Sequence, residues 1–337
     1  MTASTVFISG ATGFIAQHII LQLLKKGYNV VGQVRSSSKG DALAKDVKSS
    51  RFSYEVVEVL EKEGAFDNAL ASHPEVSVFI HTASPVTFSP EDNERDVLIP
   101  AINGTKNVLA SIKKVAPQIK RVILTSSAVA SGSFAELQDP KFIGGEDSWN
   151  PITYEQAVSG DAVAAYEGSK KFAEQAAWDF VKKEHPKFSL TAILPVYVFG
   201  PQAFVSGLKS LNETTQLIAN VLQLKKDDPI PPVENSYVDV RDAAAAHIGA
   251  FEKDSAAGKR LLVTSGRFHY QNVVDIVREN FPQYADQLPI GTPAGKNQFA
   301  GYTKLEDSNA TQILGIDYIG FKKVISDEIK QILDNQA

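Results

Sequence analysis

The sequence predicts an α/β protein built on a doubly wound parallel sheet, with a smaller, mostly helical C-terminal lobe. Three observations carry this. Short β-rich runs alternate with segments of helical apolar period from residue 5 to about residue 194. The first of these runs leads directly into a glycine turn, Gly10-Ala-Thr-Gly-Phe-Ile-Ala16, that opens a helix. Beyond about residue 200 the alternation stops, and helices near 270–281 and 322–334 follow among loops. The pattern is that of a Rossmann-type sheet. The nucleotide-binding part takes in residues 1–200 and about 237–263. The substrate lobe takes in about 201–236 and 264–337, so both parts are discontinuous.

Residues 5–9 read as a buried strand. The helix from Ile15 to Lys26 is apolar at 15, 19, 20, 23 and 24, and Gly27 ends it. Gly10 lets the chain reverse, and Gly13 lets backbone approach a pyrophosphate. Ala16 is small enough for the helix to pack closely, and the helix N-terminus offers free N–H groups to phosphate oxygens. Residues 28–34 are the second strand. An acid after it would hold the ribose of NAD, but the chain has Arg35-Ser-Ser-Ser-Lys39. Arg35 offers a planar fork to a phosphate and Lys39 a second charge, which predicts NADPH over NADH.

Strands follow at 52–57 and 76–82. The second ends in His81-Thr-Ala-Ser-Pro85, where small residues let a ligand pass close to the backbone. His81 is expected to orient that loop by hydrogen bonding. A long helix spans Arg95 to Val115, with Pro100 shifting or kinking its start. Within it, Asn103-Gly-Thr105 either presents a polar side chain to the active centre or serves helix packing. The fifth strand, from Arg121, ends in Thr125-Ser126-Ser127, where a hydroxyl could serve a carbonyl oxygen as hydrogen-bond donor.

A long polar loop region, 128–161, precedes the helix that carries Ala165-Tyr-Glu-Gly-Ser-Lys170. Tyr166 and Lys170 are four apart and share one helix face. A phenol beside an ammonium is a proton donor with an electrostatic tuner, and the positive charge is expected to draw the phenol's pKa towards working pH. The spacing alone is common; Tyr318 and Lys322 share it, in a stretch that reads as a turn. A strand at 189–194 leads to Pro195-Val-Tyr-Val-Phe-Gly-Pro201. A helix of about 211–224 comes next. Tyr237-Val-Asp-Val-Arg-Asp242 opens an alanine-rich helix to Phe251, and Arg260 to Val263 is a further strand.

Composition narrows the function classes. A net charge of −5 argues against a nucleic-acid surface, and the lack of cysteine excludes disulfides and thiolate zinc sites. The six His are scattered without metal-binding spacing, so no metal is expected. No apolar run approaches a membrane span, and no leader is apparent, so a cytoplasmic protein is expected.

Together, Gly-x-x-Gly-x-x-Ala at 10–16, the serines at 126–127, Tyr166-x-x-x-Lys170 and Tyr237-Val-Asp-Val-Arg-Asp242 resemble the extended short-chain dehydrogenase/reductase family over almost the whole chain. Ala11–His18, His81–Pro85 and Pro195–Gln202 look most similar to the fungal NADPH-dependent methylglyoxal/isovaleraldehyde reductases, relatives of the plant dihydroflavonol reductases. The resemblance implies Ser127, Tyr166 and Lys170 as the catalytic group, with Lys170 also on the cofactor's ribose. It implies a cofactor site at Gly10, Thr12, Gly13, Phe14 and Ile15, with Arg35, Lys39 and Leu60 towards the adenine end. Thr82, Ala83, Ser84 and Pro195 would also bind it, with Val198 and Thr214 near its nicotinamide end. In two places the chain departs from the pattern. Val59-Leu60 stands where the family often has an Asp, and Ala128 stands where fungal relatives often carry a Tyr, which widens the pocket.

The implied reaction is NADPH-dependent reduction of an aldehyde or ketone, with Tyr166 as proton donor. Val86, Phe88, Ala128, Val163 and Tyr197 are the candidates for an apolar substrate wall. The expected partner is a small carbonyl compound, and the expected state a monomer or homodimer. Two other readings use the same motifs: a nucleotide-sugar epimerase or dehydratase, and a non-catalytic NADP(H) sensor.

Overall fold

The computed structural model describes residues 4–84, 89–139, 142, 145–209, 211–292 and 309–335. Its strands, in chain order, are β1 (Thr5–Ser9), β2 (Asn29–Val34), β3 (Phe52–Val56), β4 (Val76–His81), β5 (Arg121–Thr125), β6 (Ser189–Pro195), β7 (Tyr197–Phe199), β8 (Glu234–Asp239), β9 (Arg260–Val263) and β10 (Gly266–His269). Seven of them form one parallel sheet in the order β3-β2-β1-β4-β5-β6-β9. The order reverses between β1 and β4, and a crevice opens beyond the carboxyl ends there, where such sheets bind ligands.

Both faces of the sheet are covered, which is why β1 and β4 read as nearly unbroken apolar runs. On one face lie the helices Phe14–Lys26 and Val240–Glu252, packing Ile19, Ile20 and Leu23 with Ala243, Ala246 and Ile248. On the other, the helices Ile99–Val115 and Ala162–Glu184 close over Phe7, Phe79 and Val122, bringing Val108, Leu109 and Ala177. Pro100 falls in the first turn of Ile99–Val115, and the five residues before it, Glu94–Leu98, form a wider π turn. A proline nitrogen cannot donate to the preceding turn, so the expected kink takes this form.

Beyond the large sheet lies a feature that periodicity did not reveal. β7, β8 and β10 form a second sheet, with β8 parallel to β7 and antiparallel to β10. Its core joins Phe199, Tyr237 and Phe268 to Val273, Val277, Val324 and Ile329 of the C-terminal helices. Residues 237–239, read as the start of a helix, are thus the end of β8, and the helix begins at Val240. The segment 128–161, read as loop, holds a 3₁₀ turn at Ala128–Ala130 and short helices at Phe134–Gln138 and Tyr154–Ser159. Another unforeseen helix, Ser37–Val47, starts inside the basic turn and is capped by the Ser36 hydroxyl.

Candidate active site

The helix Ala162–Glu184 starts at Asp161, whose side chain accepts the Ala164 N–H at 2.9 Å. Its inward face buries Ala165, Ser169, Lys170, Ala173 and Glu174. Gly168 lies on this helix too; a Cβ there would meet the Cβ of Ala157 at 2.3 Å, so glycine is what lets the helix Tyr154–Ser159 pack so closely. One turn apart on the helix, Tyr166 and Lys170 both line a crevice of about 650 Å³, and the Lys170 Nζ lies 5.8 Å from the centre of the Tyr166 ring.

At the end of β5 the two serines part company. Ser126 donates to Glu174 at 2.6 Å, and Glu174 is fixed further by Arg260 at 2.6 Å and the Trp178 indole at 3.0 Å. Ser127 caps the 3₁₀ turn and is hydrogen-bonded to the Tyr166 hydroxyl. The Phe134 ring stacks on Tyr166 with centroids 6.2 Å apart. Phe134 is itself held by its backbone N–H, which donates to the buried Glu167 at 2.6 Å.

Electrostatics here differ from the simple expectation. Burial pushes the Tyr166 hydroxyl above its usual range, and the Ser127 hydrogen bond only partly offsets that. Those two influences set the phenol, and the nearby Lys170 is not one of them; burial lowers the lysine itself to about 8. His81 is pushed down to about 3, first by burial and then by the Lys170 charge, so it is neutral. Its Nδ1 lies 2.7 Å from the Ser9 hydroxyl, which also accepts the Ala83 N–H at 3.2 Å. Neutral His81 thereby ties β1 and β4 to the loop at 82–84. The Thr105 hydroxyl bonds back to Ala101 within its own helix.

Across the crevice stands the glycine turn. Gly10 has φ +68, and a Cβ there would meet the Ala83 Cα at 2.9 Å. Gly13 starts the helix with no side-chain acceptor over its first turn, which leaves those N–H groups available to an anion. Uncapped N–H groups beside a glycine turn suit a dinucleotide's pyrophosphate, and Arg35 and Lys39 stand exposed at the end of β2.

Of the residues singled out from the sequence, Gly13, Phe14, Ile15, Thr82, Ser84, Ser127, Ala128, Tyr166, Lys170, Pro195, Tyr197, Val198 and Thr214 line the crevice. The Thr214 hydroxyl donates to the Val198 carbonyl at 2.6 Å. Gly10 and Ala83 back this lining, and Thr12 is exposed beside it. Leu60 packs near the helix Ile99–Val115, away from the lining, and its carbonyl accepts from Asn107 at 3.3 Å. Val163 is 40% exposed on the first turn of its helix and does not line the crevice. Val86 and Phe88 lie outside the described residues. The rival pair dissolves: Tyr318 precedes the helix Phe321–Asp334, and Lys322 pairs with Glu279 at 2.6 Å.

Sequence reasoning missed Phe134, Leu137, Leu217 and Asn235, which also form the wall. A signal existed for the first two: Ser133 and Glu136 form a capping box, the Ser-x-x-Glu signature of a helix start. Asn235 has no such local mark.

A seven-stranded doubly wound sheet with a serine, a tyrosine and a lysine gathered at its switch point defines a nucleotide-dependent oxidoreductase scaffold. The chain belongs to the 3-beta hydroxysteroid dehydrogenase/isomerase family, whose pattern matches residues 7–273, within the extended short-chain dehydrogenases/reductases. It is 44% identical over 336 residues to the NADPH-dependent methylglyoxal reductase of Saccharomyces cerevisiae, covering 98% of each chain. The yeast methylglyoxal/isovaleraldehyde reductase solved with NADPH superposes with a TM-score of 0.94 at 43% identity, over 98% of this chain and 99% of that one. A reductase engineered to attenuate substrate inhibition in asymmetric catalysis is 52% identical, with a TM-score of 0.95 over 98% of this chain and 100% of that one.

Proposed function

We propose that this chain reduces aldehydes and ketones to alcohols with NADPH, and that Tyr166 gives the proton to the carbonyl oxygen. One observation carries the assignment of Tyr166: its hydroxyl is hydrogen-bonded to Ser127 on the crevice wall, with the Lys170 ammonium one turn behind. NADPH, when bound, supplies the hydride. Gly10–Gly13 and the first-turn N–H groups would hold its pyrophosphate, and Arg35 and Lys39 its 2′-phosphate.

The chain's own residues then handle the oxygen. As negative charge develops there, Ser127 and Tyr166 donate hydrogen bonds to it, and Tyr166 transfers its proton. Lys170, one turn behind the phenol, would hold the ribose hydroxyls of the bound cofactor. Ala128, Phe134 and Tyr197 keep water from the reacting centre and present an apolar wall to the substrate. Yeast relatives named for methylglyoxal reduction support small aldehydes as substrates. No helix among the described residues is long and apolar enough to cross a membrane, and we read the protein as a cytoplasmic monomer or homodimer.

The experiment is loss of NADPH absorbance with small aldehydes, α-diketones and bulky aryl ketones. Net consumption is expected. A protein that leaves NADPH untouched with all of them, yet interconverts nucleotide sugars, is an epimerase and the reading fails.

A further inference from the structure

Three successive hydroxyls at the carboxyl end of β5 each meet a different partner. Thr125 meets the Nε2 of His247, on the helix Val240–Glu252, at 2.7 Å. His247 is buried and neutral, and its Nδ1 lies 2.7 Å from the Ala243 carbonyl. A carbonyl only accepts, so Nδ1 carries the proton and Thr125 donates to the bare Nε2. Ser126 donates to Glu174, on the opposite face of the sheet, at 2.6 Å. Ser127 is bonded to Tyr166. The strand end is thus tied to helices on both faces, and the Ser126 N–H keeps it in the sheet by donating to the Ile193 carbonyl at 2.8 Å.

Two of these partners sit on one helix. Tyr166, Lys170 and Glu174 recur every four residues and form one stripe. Tyr166 and Glu174 are about 12 Å apart along the axis, yet their side chains end on adjacent serines. The helix, 23 residues long, is buried along this face, so the strand end is the part that can shift. Glu174 is suited to hold it. Its side chain is fully buried, and its two oxygens accept four hydrogen bonds. Arg260 at 2.6 Å and the Trp178 indole at 3.0 Å fix Oε1, and Oε2 takes Ser126 and, at 3.4 Å, the second arm of Arg260. Ser126 lines the crevice too, but its proton is committed to Glu174, so it cannot donate to a substrate oxygen.

Resting on the reductase reading above, we propose that Ser126 and Glu174 are positioning residues for the reaction. Their hydrogen bond clamps the end of β5 to the helix that carries Tyr166, and so places the Ser127 hydroxyl where it and the phenol reach one oxygen. Neither residue acts on that oxygen itself; the clamp works through Ser127.

The test is a double-mutant cycle on kcat for methylglyoxal reduction by NADPH. Ser126→Ala keeps the Glu174–Arg260 pair and removes only the clamp. It should lower kcat about 10- to 100-fold and leave KM for methylglyoxal and for NADPH within about twofold, the pattern of a contact that matters only in the transition state. In a Ser127→Ala background the same change should alter kcat by less than about twofold, because the residue it positions is gone. Ser126→Cys keeps a weaker donor; it should give a smaller fall of the same kind, and it serves if the alanine variant fails to fold. Unchanged kcat in the single variant overturns the clamp, and so does an equal fall in both backgrounds; either result leaves the reductase intact. Wild-type protein that consumes no NADPH with methylglyoxal or any other carbonyl compound removes the reductase reading, and the clamp with it.

Discussion

Glu328, on the last helix, accepts the Gly200 backbone N–H at 3.0 Å, fastening the chain's end to the residue that follows β7. The carboxyl is 1% exposed, and its other oxygen has no partner among the described residues. Burial raises its pKa to about 8, against smaller downward pulls from Gly200 and Thr215. The folded protein therefore binds this proton more tightly than the unfolded chain does. Between the unfolded value near 4.5 and about 8 the native state holds more protons, so this contribution to stability falls as pH rises. Against Glu328→Gln, the wild type should lose a few kcal/mol of relative stability from about pH 5 to about pH 8. Urea melts of both proteins across that range read it; parallel curves contradict the assignment.

Tyr166→Phe removes the proton donor but keeps the ring that packs against Phe134. Turnover of any carbonyl substrate should drop by about 10²–10⁴-fold. NADPH affinity, followed by the cofactor's fluorescence, should stay within about twofold. Near-normal turnover would mean that the acid lies elsewhere.

Arg35→Ala should raise KM for NADPH by about tenfold or more and leave KM for NADH nearly unchanged. A charge-assisted contact to phosphate is worth about 1.5–3 kcal/mol, and only NADPH carries that phosphate. Equal changes for both cofactors would remove Arg35 from the phosphate site.

Glu174 is fully buried and Arg260 is 9% exposed, with the Arg260 guanidinium 3.8 Å above the Trp149 ring. Arg260 also donates to the carbonyls of Glu146 and Ser148, so it ties β9 to the loop beside the crevice. Glu174→Ala leaves that cation buried without its anion, at a cost of about 3–5 kcal/mol. Calorimetry should show a Tm lower by about 4–7 °C. A shift of a degree or two would mean that water replaces the carboxylate.

Much of this molecule could be read from short-range pattern. β1, the glycine turn and the helix behind it are contiguous, so their period and their glycines speak directly. Tyr166 and Lys170 share a face because four residues nearly complete a helical turn. The second sheet could not be read this way. β7 and β10 have three and four residues, too few to establish a period, and their partner β8 comes from a separate segment. For the same reason 237–239 looked like the lead-in to a helix.

By itself, then, the sequence determined the parallel sheet, the nucleotide turn and the residue types available for proton transfer, because each is encoded within a few turns or one strand. Only the tertiary structure decided which neighbouring serine faces Tyr166, how burial rather than the lysine charge governs that phenol, and where Asn235 stands. Those outcomes depend on partners tens of residues away, such as Glu174 for Ser126 and Phe134 for Tyr166. Packing brings such partners together, and no local period records it.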